Sequence, residues 1–289
     1  MSFGSPYTTL PDFEYHRPKT MDEALSLLKE HGDEAKLMGG GIGLIAFMKE
    51  RLMSPSHVID MKGIDDLRSV TQGPGGGLRI GAAVSLQELL EGESLGKELA
   101  VLREAVSRVA DPMIRRRATL VGNLCEAIPW VDTPPALIAL DASVEAIGAT
   151  GRRSIPVSGF VRGPVDIDLG PDEIVTAVQI PAARGREGAF EKFTAGSEFS
   201  LASVAVVLTA EGRKRVPKVV YGAVNSTPSR SLEVEEEIKD GVTPGTIRKA
   251  AKVAGEKVEC MDDVLASSAY RKHLLRVITT KVLGRMMAK

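Results

Sequence analysis

Only two cysteines, Cys125 and Cys260, occur in the 289 residues, and they lie far apart. The chain therefore supports neither a disulfide framework nor a thiolate cage for a metal. Histidine is equally sparse. His16, His31, His57 and His273 are scattered without the i, i+4 spacing that sets two ligands on one helix face, so no metal site is expected. No window reaches the roughly eighteen apolar residues of a membrane span. The N-terminus lacks a basic region followed by an apolar one, and the cytoplasm is the expected location. Charge of one sign is missing too: 37 lysines and arginines meet 38 aspartates and glutamates, so nothing draws the chain to nucleic acid or to an anionic membrane. What is present is an ordinary hydrophobic content of 43%, enough for one or two cores and pointing to two compact domains.

Thr20-Met21-Asp22-Glu23 has the spacing of a capping box, and Ala24, Leu25, Leu27 and Leu28 follow at helical intervals. A helix is predicted over 21–31, with Gly32 as its stop. Ala35 to Met38 reads as a short buried strand that empties into Gly39-Gly40-Gly41-Ile42-Gly43. A helical pattern resumes at Leu44, Pro55 stops it, and His57-Val58-Ile59-Asp60 is the next strand. Gly73 to Gly77 marks a turn between two strands, Ser85 to Glu88 is a second capping box, and a longer helix is expected over about 95–109. From Ser143 to about Leu208 strands and turns take over, with Glu173 to Ile180, ending at Pro181, and Ser203 to Leu208 as the clearest. A strand over 218–224 follows, and beyond Leu232 three helices are predicted. The shift in pattern sets a boundary near Pro181.

The glycine run is the sharpest local signal, because N–H groups free of side-chain obstruction can converge on phosphate oxygens. Gly41-Ile42-Gly43-Leu44-Ile45-Ala46 also fits the G-x-G-x-x-G/A pattern after a strand, with Asp60 seventeen residues past Gly43. The same glycines serve equally well to pack a strand tightly against a helix. A second segment runs Ile114-Arg115-Arg116-Arg117-Ala118-Thr119-Leu120-Val121-Gly122-Asn123-Leu124 and continues through Pro129-Trp130-Val131-Asp132 to Pro134-Pro135-Ala136-Leu137. Thr119, Gly122 and Asn123 put a hydroxyl, close-approach N–H groups and an amide in one turn, while Asp132 offers an acceptor for hydroxyls. Capping of turns explains Asn123 and Asp132 equally well. Arg115 to Arg117 fits a solvated surface or a face for a partner, and Trp130 fits core packing or an adenine.

In this order and spacing, the two glycine-rich segments resemble the flavoprotein subunit of the xanthine dehydrogenase and carbon monoxide dehydrogenase family, which shows A-G-G-x-x-L and then A-T-I-G-G-N. The likeness continues through Leu137 to Ala142, the strand ending at Pro181, and Ser267-Ser268-Ala269-Tyr270-Arg271-Lys272-His273-Leu274, so it covers nearly the whole chain. The resemblance implies an α+β fold. A FAD-binding domain over 1–180, of two subdomains in the manner of vanillyl-alcohol oxidase, would precede a C-terminal domain over 181–289 with a three-stranded antiparallel sheet and a helical bundle. It implies that Lys36, Leu37, Met38, Gly39, Gly40, Gly41, Ile42 and Gly43 wrap the FAD pyrophosphate, that Thr119, Gly122 and Asn123 form the second phosphate turn, and that Asp132 holds a sugar or ribityl hydroxyl. Val175 and Lys192 fall where the family has residues near the flavin ring.

Three departures stand out. Gly39 replaces an alanine, Val121 replaces a glycine and removes freedom at positive φ where it would crowd a phosphate, and Ala195-Gly196-Ser197-Glu198-Phe199-Ser200 replaces the family's basic pair and Asp. The resemblance further implies an electron-transfer subunit that is not active on substrate alone and has no catalytic residue of its own. A small iron–sulfur subunit with 2Fe-2S clusters and a large molybdopterin subunit would be its partners, and an external acceptor would take the electrons. A flavin-free binding or assembly protein that keeps the fold is a second reading, motivated by Val121 and the 195–200 stretch. A stand-alone oxidase of the vanillyl-alcohol type is a third, and would need a cluster of Tyr, Arg or His.

Overall fold

Strand β1 (Glu14–His16), helix α1 (Met21–His31), strand β2 (Ala35–Met38), helix α2 (Ile42–Lys49) and strand β3 (His57–Asp60) build a parallel sheet of order β1-β3-β2. Local signals account for each piece. Thr20 Oγ1 accepts the Glu23 N–H, Ala24 and Leu28 are buried, and the chain leaves α1 through Gly32 at φ 50. Strand β2 then delivers the chain to the glycine turn, where Gly41 at φ 83 is the N-cap of α2. The computed structural model describes residues 9–194, 199–212 and 214–288.

The next layer is antiparallel. Strands β4 (Val70–Gln72) and β5 (Leu78–Gly81) lead into helices α3 (Leu86–Glu91), α4 (Ala100–Ser107), α5 (Pro112–Arg115), α6 (Leu120–Cys125) and α7 (Thr133–Ala139). The chain returns through β6 (Ser143–Gly148), β7 (Gly151–Pro156), the short α8 (Val157–Phe160), β8 (Val161–Gly163) and β9 (Asp166–Ile167) to β10 (Ile174–Ile180). The five-stranded sheet has the order β4-β5-β10-β6-β7. The helix expected over 95–109 is shorter. Arg103 donates to the carbonyls of Leu90, Gly92 and Leu95, which holds that approach as a loop folded over α4. The arginine run is not uniformly solvated either, since Arg115 donates to the Val109 and Ala110 carbonyls just past the end of α4.

Strands β11 (Glu187–Thr194), β12 (Ser200–Glu211) and β13 (Lys214–Gly222) are the three long antiparallel strands expected, and a two-residue edge strand, β14 (Ser229–Arg230), adds a fourth. Helices α9 (Leu232–Ile238), α10 (Pro244–Lys257) and α11 (Ser268–Met287) complete the described chain. The first nine residues of β12 are buried without alternation. Side chains of a strand point to opposite faces in turn, so such a run means that both faces are covered. Val204, Val206 and Leu208 pack with Leu275, Ile278 and Val282 of α11, whereas Ala205 and Val207 join Phe190 and Val220 in the core that also holds α4 and α7.

Candidate functional site

The two glycine segments meet. A Cβ built on Gly40 would lie 1.9 Å from the Arg117 carbonyl oxygen and 2.9 Å from Ala118 Cα, so the backbones approach as closely as only glycine permits. At Gly39 a Cβ would meet Thr119 Oγ1 at 3.1 Å, so the glycine found there relieves a contact that alanine would tighten. A clamp fixes the first turn from the other side: Lys62 Nζ donates to the Gly39 carbonyl at 2.9 Å and pairs with Asp60 Oδ1 at 2.8 Å, while the Tyr15 hydroxyl donates to Asp60 Oδ2. Asp60, the acid that follows the G-x-G-x-x-A match, is thus committed to the clamp and does not line the cleft, so the Rossmann-type role for it is set aside.

Between the turns opens a cleft of about 390 Å³. Lys36, Leu37, Met38, Gly39, Gly40, Gly41, Ile42, Gly43, Thr119, Gly122, Asn123 and Asp132 all line it; Val175, buried in β10, and Lys192, in β11, do not. No side chain caps α2, so its first-turn N–H groups stay open where Ile42 and Gly43 border the cleft. The second segment is the N-terminus of α6 rather than a free turn, and Thr119 Oγ1 accepts the Gly122 N–H at 2.9 Å. This corrects the reading of Val121. It sits inside the helix, where positive φ is not required, and its buried side chain joins the core instead of crowding the cleft.

Several polar groups face the cleft half-satisfied. Asn123 Oδ1 accepts the Thr133 hydroxyl at 2.6 Å, which leaves its amide nitrogen without a partner among the described residues. The Trp130 indole Nε1 is buried and likewise unpaired among the described residues. A buried donor of this kind is costly unless a ligand or water accepts from it. The Trp130 ring stands 5.2 Å from that of Phe199, tilted by 56°, and both line the cleft. Ala195 to Glu198 lie outside the described residues.

At one end of the cleft Asp132 is already engaged. Its Oδ2 accepts from Lys192 Nζ at 2.6 Å and its Oδ1 from the Ser200 hydroxyl at 2.6 Å. Burial raises its pKa, and the Lys192 ammonium and the Ser200 hydroxyl pull against that rise. Lys192 therefore reaches the site through Asp132, and any ligand hydroxyl on Asp132 would be a third partner for that carboxylate.

Glu126, which the sequence reading passed over, lines the same cleft. Its Oε1 would stand 2.7 Å from a Cβ on Gly43, beside the open end of α2, and it has no hydrogen-bond partner among the described residues. Burial pushes its carboxyl up to about 7. Nothing in its sequence position signals this, because the effect arises from burial alone. Neighbouring Cys125 has its thiol pushed up to about 12 by burial, so it stays neutral. Two non-glycine residues on the cleft wall, Ala110 at φ 39 and Val165 at φ 58, hold left-handed backbone, a strain that concentrates at ligand sites.

The family model for the FAD binding domain in molybdopterin dehydrogenase matches residues 11–183, and that for the CO dehydrogenase flavoprotein C-terminal domain matches residues 191–286. The glyceraldehyde dehydrogenase medium chain of Sulfolobus acidocaldarius is 28% identical over 274 residues, covering 94% of this chain and 97% of that one. The carbon monoxide dehydrogenase medium chain of Hydrogenophaga pseudoflava is 30% identical over 284 residues, covering 96% and 98%. The solved structure of carbon monoxide dehydrogenase from Hydrogenophaga pseudoflava, in a form lacking the Mo-pyranopterin moiety of its cofactor, contains a chain that matches with a TM-score of 0.90 at 29% identity, covering 97% of this chain and 99% of that one.

Proposed function

Because this chain belongs to the family of FAD-binding subunits of molybdenum hydroxylases, we propose that it passes electrons from the 2Fe-2S clusters of a small partner subunit through FAD to an external acceptor, while a large molybdopterin subunit oxidises the substrate. The chain is an oxidoreductase subunit and its cofactor is FAD. Flavin exchanges electrons singly or in pairs, which joins one-electron clusters to a two-electron acceptor.

The observation that carries the reading is the meeting of the two glycine segments on one cleft. In this reading Lys36 to Gly43 and the open end of α2 hold the diphosphate together with Thr119, Gly122 and Asn123, and Lys36 supplies a positive charge at the rim. Asn123 and Trp130 have free donors to offer it, Asp132 accepts a hydroxyl as its third partner, and Lys192 acts by fixing Asp132. Val175 packs the core behind the site. Residues 1–180 and 181–289 form the two domains of this arrangement.

The flavin-free alternative loses one of its two motives, since Val121 does not enter the cleft. The stand-alone oxidase is not favoured, because no Tyr, Arg or His is among the described residues that line it. The test is direct. Purified chain should bind one FAD per chain, show a flavin absorption spectrum, and leave that spectrum unbleached by aldehydes or N-heterocycles until the partner subunits are added. A chain that stays colourless with excess FAD would sink the proposal.

Glu126 makes this binding pH-dependent. Below about 7 the carboxyl is neutral and could donate to a phosphate oxygen; above it the carboxylate would repel a diphosphate held in the same cleft. FAD affinity is expected to fall about tenfold from about pH 6 to about pH 8. Glu126→Gln, neutral throughout, should bind more tightly than the parent at the alkaline end and give a flat profile. A parent profile that is already flat in fluorescence titrations would remove Glu126 from this role.

A further inference from the structure

Three of the four histidines, scattered in the sequence, gather in the fold. His16 ends β1, His31 ends α1 and His57 begins β3, and one ring nitrogen of each lies within 4.8 Å of the others. His16 Nε2 stands 3.0 Å from His57 Nδ1, and the His31 ring stacks on that of His57 at 3.7 Å and 11°. The exposed Glu14 carboxylate closes the group, with its oxygens 3.9 Å from His16 Nε2 and 3.8 Å from His57 Nδ1. We infer that these three imidazoles and Glu14 bind one divalent transition-metal ion of the Zn2+ class.

The donor set is the first argument. Three neutral imidazoles and one carboxylate suit a borderline ion such as Zn2+, whose bonds to nitrogen of about 2.0–2.1 Å place tetrahedral ligands about 3.4 Å apart. His16 Nε2 and His57 Nδ1 stand 3.0 Å apart and a His31 nitrogen lies within 4.8 Å of both, so coordination asks for side-chain rotation and not for movement of the backbone. His31 must swing off the face of His57 so that both lone pairs point at one ion. Its place at the last turn of α1 favours that, since helix C-termini attract cations.

The partly buried convergence of ring nitrogens is the second argument. The His16 and His57 side chains are 14% and 16% exposed, and their two facing nitrogens share one proton at most. An ion satisfies all the converging lone pairs at once. Glu14, at 68% exposure, supplies negative charge without having to be desolvated first.

The ion would act as a staple. Strand β1 has only three residues, and a metal shared by β1, α1 and β3 fastens it to the sheet. Tyr15, which braces the clamp through Asp60, lies between Glu14 and His16 on β1, but neither these two nor His31 and His57 line the cleft, so the ion would not touch the FAD site.

The experiment uses the full chain without a polyhistidine tag, stripped by chelator, then titrated with Zn2+ by calorimetry and with Co2+ by visible ligand-field absorption. One ion per chain at micromolar affinity or tighter, a four-coordinate Co2+ spectrum and a higher unfolding temperature with Zn2+ are expected. His16→Gln, His31→Gln and His57→Gln should each weaken Zn2+ binding at least about tenfold with FAD content unchanged. Glu14→Gln, at an exposed position, keeps the test decisive if a histidine variant does not fold, because it should weaken Zn2+ binding and alter the Co2+ spectrum. Failure to take up one equivalent of either ion overturns the inference, as does uptake that survives all four substitutions.

Discussion

Gly40→Ala is expected to eliminate FAD retention and to lower stability by about 3 kcal/mol, the upper end for overpacking. The added methyl would sit 1.9 Å from the Arg117 carbonyl oxygen, 2.6 Å from its carbon and 2.9 Å from Ala118 Cα. All three are backbone atoms, so no rotamer change relieves the clash, and the two segments must separate. Separation widens the cleft and strains the Lys62 bond to Gly39. Gly32→Ala is the matched control. Its φ of 50 and ψ of −127 are strained for alanine, but a Cβ there meets nothing within 4 Å, so it should cost about 1–3 kcal/mol through the backbone alone and leave FAD in place. Denaturant midpoints and the ratio of flavin to protein measure both, and a Gly40→Ala chain that keeps its flavin would contradict the proposed meeting of the turns.

Asp132→Ala is expected to cost about 3–5 kcal/mol, because it strands a buried ammonium. The Lys192 side chain is only 9% exposed and Asp132 is its counter-charge at 2.6 Å. The double variant Asp132→Ala with Lys192→Met should recover most of that loss, since the unpaired charge goes with its partner. A thermodynamic cycle over the two single variants and the double measures the coupling. Near-zero coupling would mean that Lys192 finds water or another acceptor when Asp132 is gone. The cycle also separates stability from binding, because the double variant should fold yet hold FAD more weakly than the parent.

Much of the fold was legible where the signals are local. Thr20 and Gly32 bracket α1 because capping and left-handed exit act within a few residues. The strand, glycine turn, helix and strand over 35–60 follow for the same reason. Pairing was not legible. Strand β10 lies between β5 and β6, and the periodicity of a strand says nothing about its neighbours. The six residues of α6 looked like a turn because so short a helix is held by burial rather than by propensity. In the site, the glycines could be read because close approach demands glycine. The roles of Glu126 and of the Lys192 and Asp132 pair could not, since both depend on groups brought together from distant parts of the chain. The gathering of His16, His31 and His57 was hidden for that reason as well.

Strand β12 has a consequence for how the molecule comes apart. With one face in the core of α4 and α7 and the other under α11, it belongs to both halves of the chain. Cutting near residue 181 would divide the sheets but not the interior, leaving each fragment with a bare greasy wall. The protein should therefore melt in a single step, and its flavin-holding half is not a module that can be borrowed alone.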